Sequence, residues 1–442
     1  MKRKISRRTA LATGARLMGG GLAGAWLGGM ASGGIASRAS AAATRGTVRF
    51  AGTTGAAVQA LSEDLIPAFE RDTGIHVEAT YQAYDALTQK TMTEFVSGSP
   101  SFDVLMFETS WGGRFAPFLE DLQPAVAKAG AAYDPNDILG AARKMGIYNG
   151  KTVGLPYRVI GRMLHYRADL FKDANLTQPP RTLPQLLDYA QKLTKGDVYG
   201  LAVLGKQGFG NAYEYGSYLF SSGGGWWDRK TYAVTFNNPI GVRTLTFYAD
   251  LHNRYKVVPP EVTTWAWDEW IAGGQNGRYA MTIMHTPYAI PLNDPAHSKT
   301  AGKWAWADAP GWNSLQQGAP PVGGWLFGVP RASAVKDLAG EFVTYMTAKQ
   351  AQLTSVAKAN APTRRSVFQD SGVRAKWPWA DVALRSLDRG TPMYNEPEEL
   401  ESEAALMVVC SAALAGVQDP KAAADEGAAK LTDILKKSGR MK

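Results

Sequence analysis

Between residues 46 and 108 the chain alternates short β-type runs with helical ones, and this alternation constrains the fold more than any other feature. Gly46–Ala51 reads as a strand running into the small-residue turn Gly52-Thr53-Thr54-Gly55. Helical spacing follows over 57–71, with Leu61, Leu65, Ile66 and Phe69 on one side. Pro67 is its weak point, because proline removes a backbone donor. Gly74–Ala79 is the next strand, Tyr84–Val96 the next helix, and Phe102–Phe107 a third strand ending at Glu108. Strand–helix–strand–helix–strand predicts an α/β fold with a largely parallel sheet and helices on its faces. Ligands in such sheets meet the loops beyond the carboxyl ends of strands, which marks 52–55 and 108–113 as cleft loops.

A length of 442 residues exceeds one ordinary core, so two domains are expected. Downstream, an extended run over 150–158 leads into another over 162–167. Thr182 is placed to cap a helix reaching Leu193, with Pro184 in its first turn. Further strands are expected over 198–203 and 279–284, and an extended segment over 323–330. Helices are expected over 238–255, 267–272, 336–347, 379–387, 398–416 and 421–435. No tandem repeat is evident.

The first forty residues read as an export signal rather than as part of the fold. A basic start is followed by a weakly apolar Gly/Ala stretch and then by Ala39-Ser40-Ala41, a small-residue cleavage context. Ser6-Arg7-Arg8 resembles the twin-arginine type, with Ala10 and then Leu11 where a strongly apolar residue is usual. Seven of the 48 Lys and Arg residues, and none of the 39 acids, lie in 1–41. The formal charge of +9 therefore falls to +2 beyond the signal, which removes the main support for a nucleic-acid surface. Cys410 is the single cysteine, within an apolar run, and reads as a buried inert thiol with no disulfide partner.

Five segments then resemble, in order and spacing, the family-1 extracellular solute-binding proteins of bacterial sugar ABC transporters, a family that includes maltose-binding proteins. They are YNGKTVGLPYRV (148–159), MLHYRADLFKDANLTQPPRTLPQLLDYAQKLTKG (163–196), NGRYAMTIMHTPYA (276–289), GGWLFGVPRASAVKDLAGEFVTYMTAKQAQ (323–352) and APTRRSVFQD (361–370). His165 interrupts the family's LYY pattern, and Arg278-Tyr279 replaces the usual lysine before Ala280-Met281. The resemblance implies a two-lobed periplasmic-binding-protein fold with interlobe hinge segments. One lobe would comprise 46–159 and 325–360, the other 160–324 and 361–442. It further implies a periplasmic monomer that closes on a small carbohydrate or polyol and delivers it to an inner-membrane ABC permease, without a cofactor and without catalysis.

Twelve of the thirteen tryptophans lie beyond residue 41. Aromatic planes suit the apolar faces of sugar rings, while carboxylates, amides and arginines suit their hydroxyl rims; the same rings also serve as core filler. Trp325 is the strongest candidate contact, since it follows Gly323-Gly324 where the family chain crosses back between lobes. Glu108 and Trp111 follow the third strand. Tyr213 and Tyr215 flank Glu214, and Trp226 and Trp227 follow three glycines. Trp267 and Asp268 belong to an aromatic–acidic cluster with Trp265, Glu269 and Trp270, and His285 ends the strand over 279–284. Arg365, and more weakly Arg158, raise the alternative of an acidic solute, because a guanidinium fork suits carboxylate or phosphate.

The sequence has no GxxxxGK[ST], HExxH, GxSxG or cysteine pair, and its five histidines are dispersed. A secreted glycoside hydrolase, pairing Glu108 with Asp268 or Glu269, is the enzymatic alternative. A chemoreceptor ligand carrier is the signalling one.

Overall fold

The computed structural model describes residues 45–55 and 58–441. The expected export signal at 1–41 lies outside them. Eleven strands are seen among the described residues: β1 (Gly46–Thr53), β2 (Ile75–Gln82), β3 (Val104–Glu108), β4 (Ile147–Tyr148), β5 (Lys151–Thr152), β6 (Leu155–Ile160), β7 (Arg162–Arg167), β8 (Met281–His285), β9 (Trp304–Ala307), β10 (Pro321–Gly328) and β11 (Thr391–Pro392).

The expected α/β beginning is present. β1 lies between β2 and β3 and is parallel to both. The helical run before β2 is divided: a wide π-type turn, Leu61–Leu65, leads into the helix Ile66–Thr73, with Pro67 in its first turn. Proline is tolerated there because the first turn has no intrahelical acceptor for its missing donor. Gly74, at φ 71°, ends this helix in the left-handed region and starts β2. The helix Tyr84–Ser97 returns the chain to β3.

β10 then joins this sheet antiparallel to β3 on one edge and antiparallel to β6 on the other. Its first residues also pair with β11. A second sheet has β7 in the middle, antiparallel to β8 and β9. Two separate apolar cores result, one for each lobe. The first gathers β1–β3, β6, β10 and the helix Lys336–Thr347, and also the buried faces of 367–387. The second gathers the β7–β9 sheet with the helices Phe209–Phe220, Pro239–Asn253, Glu399–Leu414 and Pro420–Lys437. The chain passes between them at 160–162, 308–320 and 390–393, giving two lobes joined by crossing segments.

Local signals act as expected in the second lobe. Thr182 accepts from the Gln185 amide at 3.2 Å, and Asn238 from the Gly241 amide at 2.9 Å. The strand expected over 198–203 is not one. The segment is extended but makes two isolated bridges, Val198 to Lys195 and Tyr199 to Tyr279, and its other amides go to separate partners such as Val257 O and Met281 O. Its apolar run reflects burial on all sides, which alternation cannot distinguish from a strand.

Gly324 is where β6 and β10 come closest. A methyl at this position would sit 2.0 Å from the Arg158 carbonyl oxygen. Gly324→Ala is therefore expected to force the two strands apart and to cost about 2–3 kcal/mol of stability, read from urea unfolding with an unchanged m-value.

Candidate functional site

β10 sets the site through its register. Trp325 lies directly opposite Glu108 on β3 and directly opposite Arg158 on β6. Directly opposite residues project to the same face of a sheet, so these three side chains form a row, acid–indole–guanidinium, across three adjacent strands. The row lies where β6 is about to cross to the other lobe. Thr109 secures its acid end. Its hydroxyl oxygen donates to Gly324 O at 3.1 Å and accepts from Gly324 N at 3.0 Å.

Glu108 is buried and held by a relay. The indole N–H of Trp111 donates to the Tyr84 hydroxyl at 2.7 Å, and that hydroxyl donates to Glu108 Oε2 at 2.7 Å. Ser110 Oγ donates to the same oxygen at 3.0 Å. Burial pushes the Glu108 carboxyl up to about 7, against the opposing pull of these donors. Trp325 remains part-exposed and meets Trp111 and Tyr84 edge-to-face, with ring centroids 5.5 and 6.0 Å away. Arg158 is part-exposed. Its Nε is enclosed without a partner, and burial lowers the proton affinity of its guanidinium.

The second lobe supplies the facing groups. Arg162 on β7 lies opposite His285 on β8, and its guanidinium holds Glu214 at 2.6 Å in full burial. His285 stacks on Trp267 with centroids 4.7 Å apart and meets Tyr288 at 5.4 Å. Burial, then the charges of Arg162 and Arg158, keep the His285 ring neutral well below its ordinary range. Asp268 is exposed at the start of the helix Trp267–Gln275 and bears electrostatically on Tyr288. Glu269 is occupied in capping that helix, accepting from the Ala266 amide at 2.9 Å.

Three of the expected aromatic contacts are packed into the second core. Tyr215 donates to Gly241 O at 3.1 Å among Phe236 and Tyr248. Trp226 and Trp227 enclose Tyr394, Trp226 stacking on it at 5.0 Å. Tyr213 is equally buried, but its hydroxyl donates to Glu399. Arg365 is held at the surface by Asp388, at 2.6 Å. The structure thus brings together Glu108, Trp111, Trp325 and Arg158, with His285, Trp267 and Asp268 on the other lobe, and keeps Tyr215, Trp226, Trp227 and Arg365 apart from them.

Sequence reasoning missed Tyr84, Tyr288, Glu399 and Glu403. The two glutamates, one turn apart at the start of the helix Glu399–Leu414, are buried, each with one carboxylate oxygen lacking a partner. Burial, with Glu108 among the neighbouring carboxylates, pushes both well above the usual carboxylate range. Acids at a helix start ordinarily complement its dipole, and here their i, i+4 spacing on the buried face is the distinguishing signal. Cavities of about 720 and 780 Å³ elsewhere are lined by none of the expected site residues. Among the described residues no cluster of three or more His, Cys, Asp or Glu side chains is arranged to hold a metal ion. No described helix is long and apolar enough to cross a membrane.

With the fold and the row defined, comparison with known proteins gives the class. Residues 51–353 match the family model of the bacterial extracellular solute-binding proteins, and the chain belongs to that family. Its two lobes and crossing segments are the periplasmic-binding-protein fold. It is 26% identical over 411 residues to a probable amino-acid ABC transporter periplasmic-binding protein, y4oP, of Sinorhizobium fredii, covering 89% of this chain and 90% of that one. It is 28% identical over 323 residues to the mannitol-binding protein of Pseudomonas aeruginosa, covering 70% and 72%. The solved solute-binding protein of Agrobacterium radiobacter K84 in complex with ribitol superposes with a TM-score of 0.79 at 25% identity, covering 89% of this chain and 99% of that one.

Glu108 gives the site a pH signature. Its folded-state value of about 7 lies above the ordinary 4.5, so between these values the native state keeps a proton that the unfolded chain has released. Stability from this group is complete below pH 4.5 and is lost as pH rises towards 7, by about 3 kcal/mol in all. Urea unfolding of the wild type and Glu108→Gln across pH 4–8 should show a loss that is smaller in the variant by about 3 kcal/mol, the remainder coming from the buried Glu214, Glu399 and Glu403.

Proposed function

We propose that this protein is the solute-binding component of an ABC importer, that its solute is a sugar, short oligosaccharide or polyol, and that it carries out no chemistry on it. The single observation behind this reading is the row Glu108–Trp325–Arg158: an indole plane flanked on one sheet face by a carboxylate and a guanidinium. A ring or carbon chain bearing hydroxyls offers an apolar face to Trp325 and both donors and acceptors to the groups beside it. Tyr84 and Trp111 hold the acid end, and His285, Trp267 and Tyr288 supply the opposite wall. The names of the mannitol-binding relative and of the ribitol complex agree with such a solute. The name of the Sinorhizobium relative points to an amino acid instead, for which the indole between two rim groups offers less.

Solute bridging the lobes would stabilise their closed arrangement, and a membrane permease would recognise that arrangement. On this reading residues 1–41 direct export, the mature chain acts as a monomer in the periplasm, and the lobes run over 46–159 with 325–360 and over 160–324 with 361–442. Within the second of these ranges, however, 367–387 packs on the first core, and the chain joins the second core from Met393 onward. A hydrolase is disfavoured because Glu269 already caps its own helix and Asp268 lies exposed.

A thermal-shift panel of monosaccharides, disaccharides, polyols, amino acids and polyamines tests the reading, with calorimetry on the hits. Sugars or polyols should raise the unfolding temperature; a response confined to amino acids or polyamines refutes the assignment, and sustained hydrolysis of an oligosaccharide refutes the non-catalytic role. Trp325→Ala should fold normally and bind the solute about tenfold to a hundredfold more weakly.

A further inference from the structure

Among the described residues, arginines that are buried or half-buried hold carboxylates, with the exception of Arg158. Arg162 pairs with Glu214 at 2.6 Å, Arg167 with Asp169 at 2.6 Å, and Arg364 with Asp137 at 3.6 Å. Arg158 has no ion pair and no hydrogen bond among the described residues, and its Nε is enclosed without an acceptor. The groups that act on it electrostatically are the phenols of Tyr288 and Tyr157, with no carboxylate among them. Its surroundings are already electropositive, since Arg162 stands four residues on and both arginines bear on His285. Glu108 belongs to the same row but is two strands away, beyond the indole, and is occupied by Tyr84 and Ser110.

A half-buried guanidinium whose Nε is enclosed without an acceptor carries an unmet desolvation cost, and a planar oxyanion is the partner that meets it best. The donors of the fork lie in one plane and match the two oxygens of a carboxylate, whereas hydroxyls satisfy them one at a time.

We infer that the solute is a sugar acid, a polyhydroxylated carbon chain or ring bearing one carboxylate, which Arg158 binds as a fork while the carbon skeleton lies over Trp325 and its hydroxyls reach Glu108. This rests on the sugar-or-polyol reading above and narrows it. A neutral polyol would leave the guanidinium with hydroxyl oxygens alone. An acidic one compensates Arg158 and fixes the direction in which the solute lies.

Matched pairs that differ only in the acid test it: D-gluconate against D-glucitol, and D-glucuronate against D-glucose, by calorimetry at pH 7.5 on the purified protein. The acid of at least one pair should bind about tenfold to a hundredfold more tightly than its neutral counterpart, and added salt should reduce that preference. Arg158→Ala should weaken the acid at least about tenfold more than the neutral member. Arg158→Lys, which keeps the charge but not the fork, should fall between the two. Thermal unfolding of both variants without solute checks that they fold. If the neutral members bind as tightly as the acids, or Arg158→Ala weakens both alike, the guanidinium binds hydroxyls: the acid inference falls and the polyhydroxyl reading stands. If no member of either pair binds, both fall.

Discussion

Strand β10 is hydrogen-bonded along both edges, and everything described at the site depends on that. Its β3 edge ties it to the parallel sheet of the first lobe, and its β6 edge ties it to the strand about to leave that lobe. Because side chains alternate along a strand, one residue of slip on either edge would turn Glu108 or Arg158 to the opposite face and dissolve the row. The register is therefore fixed on each side by something other than the row. On the β3 side it is the Thr109–Gly324 pair of hydrogen bonds. On the β6 side it is the close approach of Gly324 to the Arg158 carbonyl, which no residue with a Cβ permits.

Several buried polar groups hold the protein together. Arg364 is almost fully buried and donates to Thr347 O and Asp134 O at 2.8 and 2.9 Å while facing Asp137, so the charge is used to tie 134–137 to the helix Lys336–Thr347. Asp103 does similar work for β1, accepting from Arg49 at 2.8 and 2.9 Å and from Ser333 at 2.8 Å. Partnerless polar atoms are costly in a folded chain. They occur in the cores, as at Arg364 Nη2 and Glu214 Oε1, and also at the candidate site, at Arg158 Nε, Glu399 Oε2 and Glu403 Oε1.

Much of the architecture was legible because it follows from period and punctuation. The alternation over 46–108, the Thr182 and Asn238 caps and the proline near 67 each act through local physics, and each appears where the residues put it. The extended segment 198–203 was misread because complete burial erases the period-two signal. The site was legible to the extent that it follows from strand ends and crossings: Trp325, Glu108 and Trp111 stand in one cluster. Tyr215, Trp226 and Trp227 stand in the core, since an aromatic after glycines looks the same in sequence whether it lines a cleft or encloses Tyr394. Glu399 and Glu403 were hidden for the opposite reason. Acids at a helix start have an ordinary explanation in the helix dipole, and only their burial distinguishes them.

The crossings themselves show how two rigid cores can turn on one another. At the first, Ile160 is still paired with Gly323 of β10, while Arg162 is already paired with His285 of the second sheet, so Gly161 alone lies between the two ladders. At the third, Pro392 is paired with Val322, the Met393 amide still donates to Val322 O at 2.8 Å, and Tyr394 is locked among Trp226, Trp227 and the Arg229 guanidinium, so the joint falls between Met393 and Tyr394. The segment over 308–320 is longer and imposes less. Two short joints, both beside the same end of β10, leave little freedom for translation and permit rotation about the line through them. Arg158, three residues before the first joint, and Trp325, opposite it, lie close to that line. Groups near a rotation axis move least when the outer walls close. On the proposed function, the row would hold solute through closure while His285, Trp267 and Tyr288 approach from the other lobe.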